Sequence, residues 1–400
     1  MDALDGVRVT GPLAPYAEGF AGELARLGFT ALSARGQLGL AMHLSRWPAG
    51  AGLGTADLTG PAVTEFLAAR RAAGYTAYLT PKALVPLLAW LRGQDVAPPE
   101  ESIASADPTG VLAERFRGYL LAERGLQPKV ASGYVARVRP FITGCLGAGG
   151  LRQVIAADVT GFMVAEARRL EPKPAQMLAT ALRSLLRFWH LEGLISGSLD
   201  QAVPKVANRR PALPRALAPS QLRALLASCD LGRADGRRDY AMMLLMARMG
   251  LRAGEVAGLR LDDISWRHGE VTILGKPNRR DRLPLPAEAG QAIATYLKDG
   301  RPCTALDRSV FIRIKAPHRG LTSGGVTQAV AAAGRRAGLG VVHAHRLRHS
   351  AATAMLAEGA PLAEIGQVLR HRRPLTTAVY AKVNVEALRG LARPWPGSLS

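Results

Sequence analysis

The sequence is short of cysteine, of long apolar runs and, toward its end, of acidic side chains. Three cysteines (Cys145, Cys229 and Cys303) stand far apart in 400 residues, without CxxC spacing. That excludes a disulfide scaffold and a zinc knuckle, and the three are expected to be plain buried thiols. No apolar run approaches the ~20 residues of a membrane span; the longest are short stretches such as Ala241 to Ala247. The first residues, with Asp2 and Asp5, lack the basic-then-apolar pattern of a secretory signal. A cytoplasmic protein with no membrane partner is expected. Residues 1–100 carry 8 basic and 8 acidic side chains, whereas residues 301–400 carry 15 and 4. The intervening hundreds are net +3 and +7, within a total of +21. Arginine outnumbers lysine 44 to 8, a bias that G+C-rich coding accounts for, but coding bias does not thin out the acids after Arg301. A polyanion partner for the C-terminal half follows, with nucleic acid ahead of an anionic membrane.

What is present is enough for two or three domains at ~150 residues each. A hydrophobic content of 48% rules out a disordered polycation. The first two hundred residues read as helices broken by Gly and Pro. Val63 to Arg71 and Ala83 to Arg92 place apolar residues at three- and four-residue intervals, with Pro81 able to open the second helix. The layout recurs at Val159 to Arg168 and Ala181 to His190: Leu84, Leu87 and Leu88 fall on Leu182, Leu185 and Leu186 at an offset of 98. A duplicated unit and two unrelated amphipathic helix pairs fit this pattern equally. Val96-Ala-Pro-Pro ends residues 1–100, Asp107-Pro-Thr-Gly opens residues 107–200, and the basic, Pro-punctuated 201–214 reads as a linker. Beyond it, residues 215–400 predict helices at Pro219–Cys229, Arg237–Met249, Ala287–Lys298, Gly325–Ala337, His345–Glu358 and Leu362–Leu369. Two strands, at Val271 and Arg282, flank the turn Gly275-Lys-Pro-Asn-Arg-Arg-Asp. The fold class expected is mainly α with a small antiparallel sheet in the C-terminal domain.

Four segments carry chemistry. Gly250-Leu-Arg-Ala-Gly-Glu sets Arg252 just past an apolar helix with Glu255 three residues on, which by itself reads as a surface salt bridge. Lys276 sits in the hairpin turn beside Arg279, Arg280 and Arg282, a cluster suited to phosphates. His345, Arg348 and His349 share one helix face. Although two of them form an i, i+4 His pair, the glutamate of HExxH is missing and the neighbours are cationic, so zinc is not expected. Finally, Leu369-Arg-His-Arg-Arg-Pro puts His371 nine residues before Tyr380, with Arg370, Arg372 and Arg373 around it.

In order and spacing these segments resemble the catalytic domain of the tyrosine recombinases, the phage-integrase family. That family's pattern is Arg in G-L-R-x-x-E, a hairpin Lys, H-x-x-R, a His or Trp, then Tyr. Here it falls on Arg252, Lys276, His345 with Arg348, His371 and Tyr380, at gaps of 24, 69, 3, 23 and 9 residues. The resemblance spans about Pro214 to Val385, and residues 107–200 look like the family's helical (SAM-like) core-binding domain. Residues 1–100 are left as an arm-binding domain, a second core-binding unit or a link between protomers. The resemblance implies a prokaryotic, nucleoid-associated enzyme that cuts and rejoins double-stranded DNA without metal, ATP or other cofactor. It implies work as a tetramer on two sites, alone or with a related recombinase, in the service of a mobile element or of integration, transposition or resolution. Arg252 and Arg348 would clamp the phosphate, because the planar guanidinium donates two hydrogen bonds and stays charged. His345 would take the proton of Tyr380, His371 would donate to a non-bridging oxygen, and Lys276 would protonate the leaving 5′-hydroxyl. Glu255 reads as an anchor for Arg252. One departure stands out: the family's L-G-H is here Leu369-Arg370-His371, where arginine alters the turn or adds a phosphate contact, as Arg372 and Arg373 are expected to do. Two other readings remain open, a catalytically silent DNA-binding accessory and a type IB topoisomerase.

Overall fold

The computed structural model describes residues 7–49, 54–99, 107–207, 216–275, 280–305, 307–370 and 377. The chain is mainly helical and falls into two compact units. Of the described residues, those up to 58, from 62 to 97 and from 216 onward form one; residues 59–61 and 98–207 form the other.

In the first unit, α1 (Ala17–Arg26), α2 (Ala31–Ala49), α3 (Gly60–Ala72) from Ala62 on, and α4 (Pro81–Gly93) surround a core that includes Phe20, Leu24, Leu38, Leu44, Phe66 and Leu67. Pro81 opens α4, where its missing N–H leaves no helical bond unmade. Leu84, Leu87, Leu88 and Leu91 form the buried stripe of α4. The second unit holds α5 (Pro108–Ala122), α6 (Pro128–Gly147), α7 (Ala156–Ala167) and α8 (Pro172–Leu191). Asp107 caps α5, its carboxylate accepting the Thr109 N–H at 3.2 Å. Along α8, Leu178, Leu182, Leu185, Leu186 and Trp189 face the core, and Trp189 stacks on Phe141. The residues related by the 98-residue offset are thus buried in both helix pairs, each in its own core. The segment read as a linker starts out packed: Val203 is buried, and Arg183 Nη2 donates to the Val203 and Pro204 carbonyls. A charged side chain reaching back from α8 satisfies backbone that Pro204 keeps out of regular structure.

From residue 216 the first unit continues with α9 (Pro219–Ala227), α10 (Ala234–Arg248), α11 (Ala253–Gly258), β1 (Ile264–Ser265), β2 (Glu270–Leu274) and β3 (Arg280–Pro284). It then runs through α12 (Ala287–Asp299), α13 (Ser323–Arg336), α14 (Ala344–Ala357) and α15 (Leu362–Val368). α10 is the hub: every residue from Ala241 to Ala247 is buried, so the apolar run noted in the sequence is a helix enclosed on all sides. The sheet is antiparallel in the order β1-β2-β3, with Val271 opposite Leu283 and Thr272 opposite Arg282. Val271 and Ile273 point inward, so Arg280 and Arg282, at even spacing on β3, point outward. β1 was not foreseen; two residues are too short for a period. Cys145 and Cys229 are free and buried, and burial pushes both thiols up to about 11. Cys303 corrects the expectation of three buried thiols, since it is exposed.

Candidate active site

The site begins where α10 ends. Gly250 turns the chain with φ +62, the left-handed conformation that commonly closes a helix. A Cβ here would lie 2.4 Å from Leu369 Cδ2, so glycine also admits the chain that follows α15. Leu251 then enters the core, and Arg252 becomes the residue that starts α11. Glu255, in the first turn of that helix, accepts the Arg252 backbone N–H at 2.8 Å and its Nη1 at 2.6 Å. The backbone bond is half of a capping box, which explains the three-residue spacing. Arg252 keeps 43% of its side chain exposed, whereas Glu255 keeps 8%. It is an open cation on a closed support.

Arg348, on α14, is only 1% exposed. Its Nη1 donates to the Gly250 carbonyl and its Nη2 to the Leu369 carbonyl. The guanidinium thereby joins two stretches of backbone that lie more than a hundred residues apart in sequence.

Arg370 differs as well. It adopts φ +55, a region that costs a side chain about 1–2 kcal/mol and that glycine occupies freely. Its Nη2 reaches Glu255 Oε2 at 2.6 Å, and its side chain is 9% exposed. Arg370 does not form part of a solvated face; it occupies the other side of the carboxylate that holds Arg252. Burial by itself raises Glu255, but the Arg252 N–H and the Arg370 and Arg252 charges outweigh it, leaving the carboxyl below its ordinary value.

His345 lies exposed, one turn before Arg348 on α14, its ring 4.4 Å edge-on to that of His349. Burial, then the charges of His345 and Arg348, push His349 down to about 4, so it is neutral near pH 7. The hairpin arginines Arg280 and Arg282 stand on the outer face of β3. Arg282 is 79% exposed, with Glu270 3.9 Å away. Lys276, Arg279, His371, Arg372, Arg373 and Tyr380 lie outside the described residues. Thr377, three residues before Tyr380, is buried, and a Cβ on Gly366 of α15 would lie 3.0 Å from its Oγ1. Sequence reading passed over Thr377 because a threonine in a short apolar segment carries no pattern. Among the described residues, no group of three His, Cys, Asp or Glu side chains is arranged to hold a metal, and no helix is long and apolar enough to cross a membrane.

The structure thus brings Arg252, Glu255, Arg348 and Arg370 together from three separate stretches of chain. Residues 215–387 match the model of the phage integrase family. A putative integrase/recombinase of Sinorhizobium fredii, y4rA, is 40% identical, over 97% of this chain and 95% of its own. The tyrosine recombinase XerD of Listeria monocytogenes is 31% identical, over 68% of this chain and 94% of its own. Among solved structures, the site-specific recombinase XerH bound to palindromic difH substrate, a post-cleavage complex, superposes with a TM-score of 0.59. It is 18% identical, and the match covers 83% of this chain and 94% of XerH. A lambda integrase (75–356) dimer bound to a COC′ core site gives a TM-score of 0.54 at 16% identity, covering 68% of this chain and 94% of that one. The chain belongs to the tyrosine recombinase (phage integrase) family of site-specific recombinases.

Proposed function

We propose that this recombinase cuts and rejoins duplex DNA through a 3′-phosphotyrosine at Tyr380. The Tyr380 oxygen attacks phosphorus and passes its proton to His345. The bond to the 5′-oxygen breaks, and Lys276 protonates the leaving hydroxyl. Arg252 carries the charge that builds on the non-bridging oxygens, and His371 donates to one of them. Arg348 joins the clamp when substrate draws a guanidinium N–H away from the Leu369 carbonyl. The ester keeps the energy of the broken bond, so a different 5′-hydroxyl can reverse the step without ATP, metal or other cofactor. Arg280 and Arg282, with Arg279, Arg372 and Arg373, contact the DNA backbone. Four protomers on two duplexes complete the reaction for a mobile element, in a prokaryotic cytoplasm.

The observation that carries this reading is the gathering of Arg252, Glu255 and Arg348 against Leu369 and Arg370, one residue ahead of His371. A nicked suicide duplex, in EDTA, tests it. Wild type becomes attached to the 3′ end; Tyr380→Phe binds equally well and gives no adduct. An adduct from that variant assigns the nucleophile elsewhere. Specific binding without any wild-type cleavage supports the accessory role, and relaxation of any supercoiled plasmid at low protein supports a topoisomerase.

A further inference from the structure

Arg370 occupies a left-handed position that suits glycine, yet its guanidinium is folded inward rather than out to solvent. Three of its groups are accounted for within the site. The backbone N–H donates to the Gln367 carbonyl, Nη1 to the Val368 carbonyl, and Nη2 to Glu255. Nε is buried without a partner. An arginine that only decorated the surface would not accept backbone strain and an unmet donor together. Its carboxylate partner is the same one that takes both the backbone N–H and the Nη1 of Arg252. Arg348 ties these stretches a second time, through the carbonyls of residues 250 and 369.

Building on the cleavage reading above, we infer that Arg370 is a positioning residue for strand cleavage: through Glu255 it locks the open Arg252 clamp in register with the chain that enters His371. It touches neither phosphate nor leaving group. The lock works because Glu255, shared by two guanidiniums, has its charge balanced on one side by Arg370 and presents the other to Arg252. Removing Arg370 leaves the whole carboxylate charge to Arg252 and draws that cation back from the phosphate. It also removes a charge that keeps Glu255 ionised.

The test is single-turnover cleavage of the nicked suicide duplex by the full chain at saturating DNA, with DNA affinity measured separately. Arg370→Gly, which relieves the backbone, and Arg370→Gln, which keeps a donor without charge, are expected to cleave about 10-fold slower or worse. Affinity and its salt dependence should stay at wild-type values. The acid limb of the rate profile moves to higher pH in both variants and returns in Arg370→Lys, which restores the charge but not the forked geometry. Cleavage that is unchanged in rate and pH profile overturns the proposal. So does weaker binding with a salt slope reduced by about 0.9 and an unchanged rate at saturation, because that is the signature of a phosphate contact. If wild type forms no adduct, the cleavage reading falls and takes this inference with it. An active wild type with indifferent variants refutes the inference alone.

Discussion

The arginines of β3 and those at positions 348 and 370 come from the same basic half of the chain, and the fold uses them in opposite ways. Arg280 and Arg282 stand on the outward register of an edge strand; Arg282 has only a loose neighbour in Glu270. Arg348 and Arg370 are enclosed, and their terminal guanidinium nitrogens donate to backbone carbonyls and one carboxylate. The outer pair costs nothing to maintain and contributes little to stability, since an exposed ion pair is worth ~0–1 kcal/mol. The inner pair is expensive to desolvate, but breaking its hydrogen bonds is more expensive still, because it leaves buried acceptors unmet. Net charge therefore does not tell the two kinds of arginine apart: the outer pair is left open to solvent, while the enclosed pair joins remote stretches of chain.

The strongest attempt to break this contrast is Arg348→Ala. It strips the partners from the Gly250 and Leu369 carbonyls and should lower unfolding free energy by ~3–5 kcal/mol. Urea denaturation that gives a wild-type midpoint would show that Arg348 is dispensable to the fold. Arg252→Ala comes next: its cleavage of the suicide duplex should fall ~10²–10³-fold, with stability within ~1 kcal/mol of wild type, because this arginine is open to solvent. A smaller effect is expected from acid. His349 is held near 4 against an ordinary 6.5, so the unfolded chain binds the extra proton between those values. Stability is then full above about pH 6.5 and falls as pH drops toward 4, by on the order of 1–2 kcal/mol after discounting for a ring that is only partly buried. His349→Gln should flatten that part of the urea-midpoint profile, and a profile as steep as wild type would assign the loss to other groups. The smallest effect belongs to the hairpin. Arg280→Ala with Arg282→Ala should reduce the slope of log affinity against log salt by about 0.9 for each phosphate that is no longer neutralised. The melting curve should remain unchanged, and a shift in it would place these side chains in the frame instead.

Much of this was legible beforehand. The helices α9, α10 and α12 to α15 and the strands β2 and β3 follow from apolar spacing, from the prolines that open α9 and precede α15, and from the turn residues of the hairpin, whereas the six-residue α11 was not foreseen. Arg252 and Glu255 are readable because a capping interaction is local. The enclosure of Arg348 and Arg370 was not legible, whereas the outward direction of Arg280 was: exposure follows from register on a strand, and enclosure depends on what arrives from elsewhere. The packing of Val203 onto the second unit was missed because proline and basic residues suggest a linker whether or not a neighbouring arginine reaches their carbonyls.

By itself, the sequence determined that this chain is mostly helical, carries its positive charge toward the C-terminal half, and holds the residue pattern of strand exchange in the right order. These are properties of neighbours along the chain, where periodicity, composition and spacing act. Only the tertiary structure decided which arginines face solvent and which lock the frame, because a guanidinium is stable in the interior only where a carboxylate and carbonyls from remote segments converge on it. That convergence depends on α10 filling the core, on Gly250 leaving room for Leu369, and on Glu255 lying between two cations 118 residues apart in sequence.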